Sequence, residues 1–382
     1  MDKAASLRES GMVDVDYYAP NFKVEVEGRE LDPEAKGDVL EVKVTMDLEN
    51  MTSFDLTINN WDDKRFGFKY SDTTVFDIGN RVNIRMGYAD GLRFVASGII
   101  STLSPKFPES GPPTLGVTGV DAMLKLKRKP TGADVKQFVD RADWQIAQEI
   151  AARNNMDVKV TQSGPRHPLV IQKDQEDALF LMERAKRIDF DCFVRVDPDT
   201  GRDTLYFISP SDARDASPVR VYVFEWGKSL INFNPQIKLG KQVGKVTVKG
   251  INPRTKELIT YTAGPDDLPG AADGNKGESG PEAAGDRMPK KEDVVVDQPV
   301  STQDEARHLA ISLLRERAYD YLTGSGQVIG IADLRPGDNV ELLGLGKRFS
   351  GTYYLTKVEH SIGGSGYLTQ FEGRRCSDGG TQ

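Results

Sequence analysis

The chain of 382 residues carries 50 Lys and Arg against 58 Asp and Glu, a formal charge of −8, and an apolar share of 38% that its 37 glycines bring to an ordinary globular value. That length allows about two or three domains with real cores, the acidic balance argues against a nucleic-acid partner, and two cysteines, Cys192 and Cys376, leave neither a disulfide framework nor a cysteine zinc site. No run approaches the ~18–20 apolar residues of a membrane helix, and the N-terminal MDKAASLRESGMVDVDYY lacks the apolar core of a secretory signal, so synthesis in the cytoplasm without a signal peptide and no direct membrane insertion are expected.

Residues 1–125 read as β. Period-two alternation runs through FKVEVEG (22–28), VLEVKVTMDL (39–48) and SFDLTINN (53–60), where Phe54, Leu56 and Ile58 share a face. RVNIRMGY (81–88), LRFVASGIISTL (92–103) and TLGVTGVDAML (114–124) continue the pattern, the last two separated by the turn-rich PKFPESGPP. Short strands bounded by Gly, Pro and Asn predict a closed barrel or sandwich.

Residues 126–215 change character. DWQIAQEIAARNN (143–155) predicts a helix capped by Asp143, with Ile146, Ala147, Ile150 and Ala151 on one stripe. QEDALFLMERAKRID (175–189) predicts a second, and FDCFVRV (190–196) with TLYFISP (204–210) a hairpin across DPDTGRD. The segment reads as a small α+β module.

Residues 216–382 return to β, with strand candidates at 219–226, 229–239, 244–251 and 257–263. The stretch 264–293 is rich in Gly, Pro, Ala and charge without periodicity, and predicts a flexible loop. A helix is expected at 301–322, where Thr302 and Glu305 fit a capping box and Ala306, Leu309, Ala310, Leu313 and Leu314 form a stripe. Strands at 338–345, 351–362 and 366–375 close the chain.

Two places share a grammar. Ile78-Gly79-Asn80-Arg81-Val82-Asn83-Ile84 precedes Phe94 and Gly98; Pro336-Gly337-Asp338-Asn339-Val340-Glu341-Leu342 precedes Phe349 and Gly351. In each, a glycine turn feeds an alternating strand and a Phe…Gly step opens the next. The echo implies two related β-barrels flanking the 126–215 module.

Chemistry is sparse. There is no GxSxG elbow, phosphate loop or HExxH. Gly344-Leu345-Gly346 lacks a third glycine and reads as a strand-end turn. In DPDTGRD, Gly201 stands one place too early after Asp197 for a calcium loop, and no Glu closes it. Of three histidines (His167, His308, His360), His360 alternates with Val358 and Ile362 and reads as a structural residue or an interface contact. Asp62, Asp63, Asp121, Glu225 and Glu359 are carboxylates that no spacing pairs as acid and base. KLKRKP (125–130) is a solvated linker or a contact for an acidic partner, and Trp61, Trp144 and Trp226 default to core packing. Catalytic, cofactor-binding and metal residues are therefore expected to be none, and the chain is expected not to be an enzyme.

The segment 330–375 resembles the end of the hub domain of phage late control protein D and VgrG-type proteins. The matching residues are Gly337, Val340, Phe349, Ser350, Gly351, Tyr353, Val358, His360, Gly366, Tyr367, Thr369 and Arg374. VGKVTVKGINPRTKELITYTA (243–263), EDALFLMERAKRIDFDCFVRV (176–196) and the strand set closing at Gly119-Val120-Asp121 are similar to further pieces of that family, in the same order. The resemblance implies a mainly β fold with an α+β insert: one tube-type barrel over 1–125, the module over 126–215, and a second barrel over 216–382. It implies a baseplate hub of a contractile injection system, a homotrimer with pseudo-six-fold symmetry joining a hexameric inner tube protein to a trimeric spike protein among other baseplate proteins. VgrG proteins continue into a needle; this chain ends at Gln382, so a separate spike polypeptide is expected. The loop at 264–293 either contacts a neighbouring baseplate protein or is disordered. The rival expectation is a tail-associated peptidoglycan- or glycan-active enzyme, or a glycan-binding module with aromatics clustered on a sheet face. Incorporation into a phage tail-like or injection particle follows from the hub reading.

Overall fold

The computed structural model describes residues 19–89, 91–127, 129, 136–197, 200–210, 221–268, 277–287 and 292–380. The first stretch holds β1 (Pro20–Val26), β2 (Arg29–Glu30), a short helix α1 (Pro33–Asp38), β3 (Val39–Asp47) and β4 (Ser53–Asn59). A small hairpin, β5 (Trp61–Asp62) with β6 (Gly67–Phe68), precedes β7 (Arg81–Tyr88), the 16-residue β8 (Gly91–Lys106) and β9 (Thr114–Val120). Alternation sets their faces as the sequence predicts: Phe54, Leu56 and Ile58 of β4 are buried while the residues between them are not.

The α+β unit follows, with β10 (Lys136–Ala142), α2 (Asp143–Arg153), β11 (Asp157–Val160), β12 (Arg166–Gln172), α3 (Asp177–Lys186), β13 (Asp191–Val196) and β14 (Asp203–Ile208). Ile146, Ala147, Ile150 and Ala151 of α2 are fully buried in its own core with Leu181, Leu205 and Phe207.

The chain re-enters the main sheet with β15 (Val221–Glu225) and β16 (Leu230–Ile237). It then leaves it again. β17 (Lys245–Ile251), β18 (Leu258–Ala263), α4 (Gly280–Arg287), β19 (Glu292–Val295) and α5 (Gln303–Tyr319) form a second side unit, whose core unites Val246, Val248 and Ile259 with Leu309, Ala310 and Leu314. β20 (Leu322–Ile329), β21 (Asn339–Leu343), β22 (Gly351–Gly363) and β23 (Gly366–Arg375) complete the main sheet. The helix predicted at 301–322 thus packs on its own three-stranded sheet rather than on the barrel strands.

The stretch 264–293 is corrected in part. Its described portion contains α4, with Ala283 and Ala284 buried. A reciprocal cap starts that helix: Glu282 Oε2 accepts from the Ser279 N–H at 2.8 Å, and Ser279 Oγ accepts from the Glu282 N–H at 3.4 Å. Alanines that read as linker composition are there the small residues a tight helix contact needs. Residues 269–276 and 288–291 of that stretch lie outside the described residues, as do Arg128 and Pro130 of the basic cluster and the N-terminal residues 1–18.

The main sheet is mainly antiparallel and has 13 strands, ordered β16-β20-β23-β22-β3-β4-β9-β8-β7-β1-β2, with β21 beside β22 and β15 beside β21. Two halves of this sheet repeat. Sheet order β1-β7-β8-β9-β4-β3 recurs as β15-β21-β22-β23-β20-β16, with the strands in the same chain order. The irregularities recur too. Ser101 is the extra residue of a bulge beside the Ile100–Gly119 pair, and Thr356 of one beside the Leu355–Gly373 pair. Leu40 in β3 and Ile231 in β16 are likewise extra residues, 51% and 49% exposed. The glycine turns match as well. The Gly79 N–H donates to Ile100 O at 2.9 Å and the Ile100 N–H to Asn80 O at 2.9 Å. The Gly337 N–H donates to Leu355 O at 2.8 Å and the Leu355 N–H to Asp338 O at 2.9 Å. The φ angles of +94° at Gly79 and +90° at Gly337 explain why both turns carry glycine. Two differences stand out: β1 runs antiparallel to β7, whereas β15 runs parallel to β21, and the bulge at Val95 between β7 and β8 has no counterpart between β21 and β22.

The predicted pair of barrels thus takes the form of two six-stranded repeats of one sheet, sharing one core.

Candidate functional site

The place where the repeats meet is the most constructed part of the chain. β22 pairs β21 and then β3 along one edge, and β23 along the other. At the junction Val358 faces Met46, His360 faces Val44 and Ile362 faces Val42, and all six side chains are buried. Glu359 accepts from Lys43 Nζ at 2.9 Å and from Thr45 Oγ1 at 3.3 Å on the other face.

His360, expected as a structural or interface residue, is fully buried at this junction. Its Nε2 lies 3.1 Å from Leu334 O, while Nδ1 lies 3.1 Å from Thr369 Oγ1 and 3.2 Å from the Tyr367 hydroxyl. Burial, together with the Arg335 guanidinium, pushes its pKa down to about 3. A neutral ring with Nε2–H donating to the carbonyl satisfies every partner, and the ring ties β22 to β23 and to the 331–337 turn.

The candidate carboxylates are engaged separately. Asp121 is buried and accepts from the Thr52 and Met123 N–H groups, both at 2.9 Å, so it caps the end of β9; burial raises its pKa to about 6. Asp62 caps the β5–β6 turn through the Lys64 and Arg65 N–H groups, Asp63 is exposed, and Glu225 holds Lys228 Nζ at 2.7 Å. Among the described residues no group of three or more His, Cys, Asp or Glu side chains is placed to hold a metal ion.

A cluster the sequence did not reveal surrounds His167 of β12. Its Nδ1 lies 2.6 Å from Glu305 Oε1 of α5, and its Nε2 lies 3.0 Å from Asp143 Oδ2 of α2. Arg184 of α3 donates to Asp143 Oδ1 at 2.6 Å and stands 2.6 Å from the same Nε2. Burial draws the His167 pKa down, but the hydrogen bonds to Asp143 and Glu305 outweigh it and leave it raised. Burial pushes both carboxylates up, and His167 brings both back below their ordinary values. Carboxylate–imidazole–carboxylate order resembles catalytic machinery, yet all three groups are buried, and among the described residues no Ser hydroxyl or Cys thiol is hydrogen-bonded to them. The cluster joins the two side units. Its members are spread over four elements, so only long-range structure brings them together.

Other bonds hold the α+β unit to the barrel strands. Asp203 accepts from Arg81 at 2.9 Å and from Lys125 at 2.7 Å, the latter being the described basic-cluster residue that finds an acidic partner within the chain. Arg195 lies 4.4 Å over the Phe193 ring, Phe193 stacks on Tyr206 at 5.0 Å, and Arg195 donates to Pro336 O at 2.8 Å. This stack walls a cavity of about 340 Å³ whose lining includes Phe94, Asp121 and Arg335.

The tryptophans divide. Trp144 packs against the α+β core, whereas Trp226 is 61% exposed, against the expectation of core packing. Trp61 joins Phe66, Phe68 and Phe107 in an edge-to-face cluster with centroids 5.3–6.4 Å apart. It sits on the β5–β6 hairpin and the loop after β8, not on a sheet face.

Among solved structures, the chain is similar to a 43 kDa tail protein of prophage MuSo2 from Shewanella oneidensis (14% identity, TM-score 0.68, covering 94% of this chain and 98% of that one). It is similar to a tail protein from Neisseria meningitidis MC58 (14%, 0.67, 94% and 97%). It is also similar to the E. coli c3393 protein, a type VI secretion component described as resembling T4 bacteriophage tail proteins (13%, 0.58, 94% and 78%). The fold is therefore that of phage tail proteins. No curated protein matches the chain. The family model described as the Alg8 N-terminal domain matches residues 17–364, and the chain belongs to that family.

Proposed function

We propose that this chain is a structural hub of a contractile tail or injection apparatus. Three copies form a ring of pseudo-six-fold symmetry that joins a hexameric inner tube to a trimeric spike, with other baseplate proteins around it. One observation carries the reading: a single chain holds the same six-strand arrangement twice, down to two of its bulges and its glycine turns. A six-fold ring and a three-fold ring present different numbers of equivalent surfaces. A trimer of duplicated chains offers six similar strand sets and three identical chains, so it matches both. The fold shared with tail proteins supports the same reading, as does the engagement of Asp62, Asp121, Glu225 and Glu359 in separate caps and ion pairs.

The test is light scattering after size exclusion, on the chain alone and co-expressed with its genomic neighbours. A trimer in either preparation is the expected result, and a monomer in both overturns the ring. A zymogram against peptidoglycan is expected to stay dark; clearing favours the glycan-active alternative.

A further inference from the structure

We propose that the two open edges of the main sheet, the outer side of β16 and the outer side of the second half of β8, pair with each other between copies of this chain. The contact repeats between chains the junction that β22 and β3 make within one. It rests on the ring reading above and assigns the surfaces that close the ring.

The correspondence of the repeats places each edge. Aligned on the bulges at Ser101 and Thr356, Thr102–Phe107, in and just beyond β8, stand where Lys357–Ile362 stand in β22. Aligned on the bulges at Leu40 and Ile231, Phe233–Lys238 stand where Val42–Asp47 stand in β3. In one case the slot is filled, by β3 lying against β22. In the other it is open among the described residues: β7 pairs β8 only as far as Ile99, and β16 pairs β20 alone.

Burial tells the same story. Val358 and Val42 are 0% exposed at the internal junction, and Met46 and Ile362 are 6%. Their counterparts Leu103, Phe233 and Ile237 are only half-buried at the rim of the same core, and Phe107 is 63% exposed. Three core-rim residues and an aromatic thus wait at the positions that a junction covers elsewhere in the chain.

The transferred register is chemically consistent. It sets Leu103 opposite Ile237 and Phe107 opposite Phe233, with Thr102, Ser104 and Lys106 opposite Lys238, Gln236 and Asn234. A slip by one residue would set apolar against polar along the whole strand. It also sets Pro105 opposite Pro235. The Lys238 N–H points inward to Tyr321 O at 2.8 Å, so by alternation Pro235 is a position whose donor would point out. Proline on an open edge blocks indiscriminate pairing. Face to face, the two prolines confine the missing donors to one pair, so side-chain packing carries more of this contact than of the internal one. Each chain has one edge of each kind. The contact is therefore head-to-tail and closes into a ring rather than a two-fold dimer.

The test uses the exposed polar pair Ser104 and Gln236, since directly opposed residues hold their Cβ atoms about 4.5–5.5 Å apart, near disulfide reach, and the native Cys192 and Cys376 are buried. Full-length S104C and Q236C chains are mixed and oxidised. The expected result is a covalent dimer from the mixture and from neither alone, a covalent trimer from S104C/Q236C, and at least a several-fold lower yield from the out-of-register S104C/N234C. A chain that is trimeric by light scattering yet yields no in-register cross-link overturns this junction and leaves the ring standing. A chain that stays monomeric with its neighbours present and yields no cross-link overturns both.

Discussion

At the scale of single residues, two kinds of position repay testing. Gly79 and Gly337 hold the same turn at φ of +94° and +90°, so Gly79→Ala and Gly337→Ala are each expected to cost about 1–3 kcal/mol, and similar losses in denaturant unfolding would show the turns to be equivalent. The His167 cluster makes a pH prediction. The charged groups around the ring are Asp143, Arg184, Arg187 and Glu305. His167 is raised, so its contribution is complete below its unfolded value of about 6.5 and is lost as pH rises through the folded one. Asp143 and Glu305 are lowered, so theirs is complete above about 4.5 and is lost as pH falls. The cluster therefore stabilises most between those limits. Thermal melts of wild type and His167→Gln should differ most near pH 5–6 and converge as the pH rises through the raised folded value. His360 was legible in the sequence, since alternation with Val358 and Ile362 places it on the buried face. His167 was not, because its partners lie on α2, α3 and α5 and no local pattern announces them.

At the scale of elements, capping chemistry reads well at α5 but not at α2, where Asp143 is the first helical residue rather than the cap and its carboxylate meets His167 and Arg184, and composition reads poorly. Thr302 Oγ1 accepts from the Glu305 N–H at 3.1 Å at the start of α5, so Thr302→Ala is expected to cost about 1 kcal/mol, measured by urea unfolding. Glu305 serves both the cap and the His167 cluster, with Oε2 accepting from the Ser301 N–H at 2.6 Å. Its loss should therefore exceed that of the cap alone. The strands of the repeats were legible because one face of each is buried, which imposes period two. α4 was not, because its buried residues are alanines in a stretch dominated by Gly, Pro and charge. Nor was the association of α5 with β17–β19 rather than the main sheet, since an apolar stripe says that a helix is covered and not by what.

At the scale of the molecule, half of the echo between 78–98 and 336–351 marks the duplication: Gly79 and Gly337 hold equivalent turns, whereas the Phe…Gly steps do not correspond, since Gly98 lies opposite Val82 and the residue opposite Val340 is Tyr353, not Gly351. The residues that make the repeats alike are backbone positions, bulges and pairings, which different side chains can serve. Amide hydrogen exchange should separate the two kinds of edge. In dilute chain, amides of β3 and β22 at the junction are expected to be protected, while the outward-pointing amides of the open edges, those of Leu103, Phe233 and Ile237, exchange quickly and become protected on assembly.

The pairing of β3 with β22 also sets a schedule for synthesis. Asp47 meets Lys357, so the two strands are separated by nearly the whole chain. At about 5–20 residues per second, β3 leaves the ribosome roughly 15–60 seconds before its partner. Throughout that interval the edge carrying Val42, Val44 and Met46 has no cover from β22, which makes the nascent first repeat a natural client for chaperones. Chains interrupted before residue 351 should aggregate through that edge, whereas chains released after β23 should not.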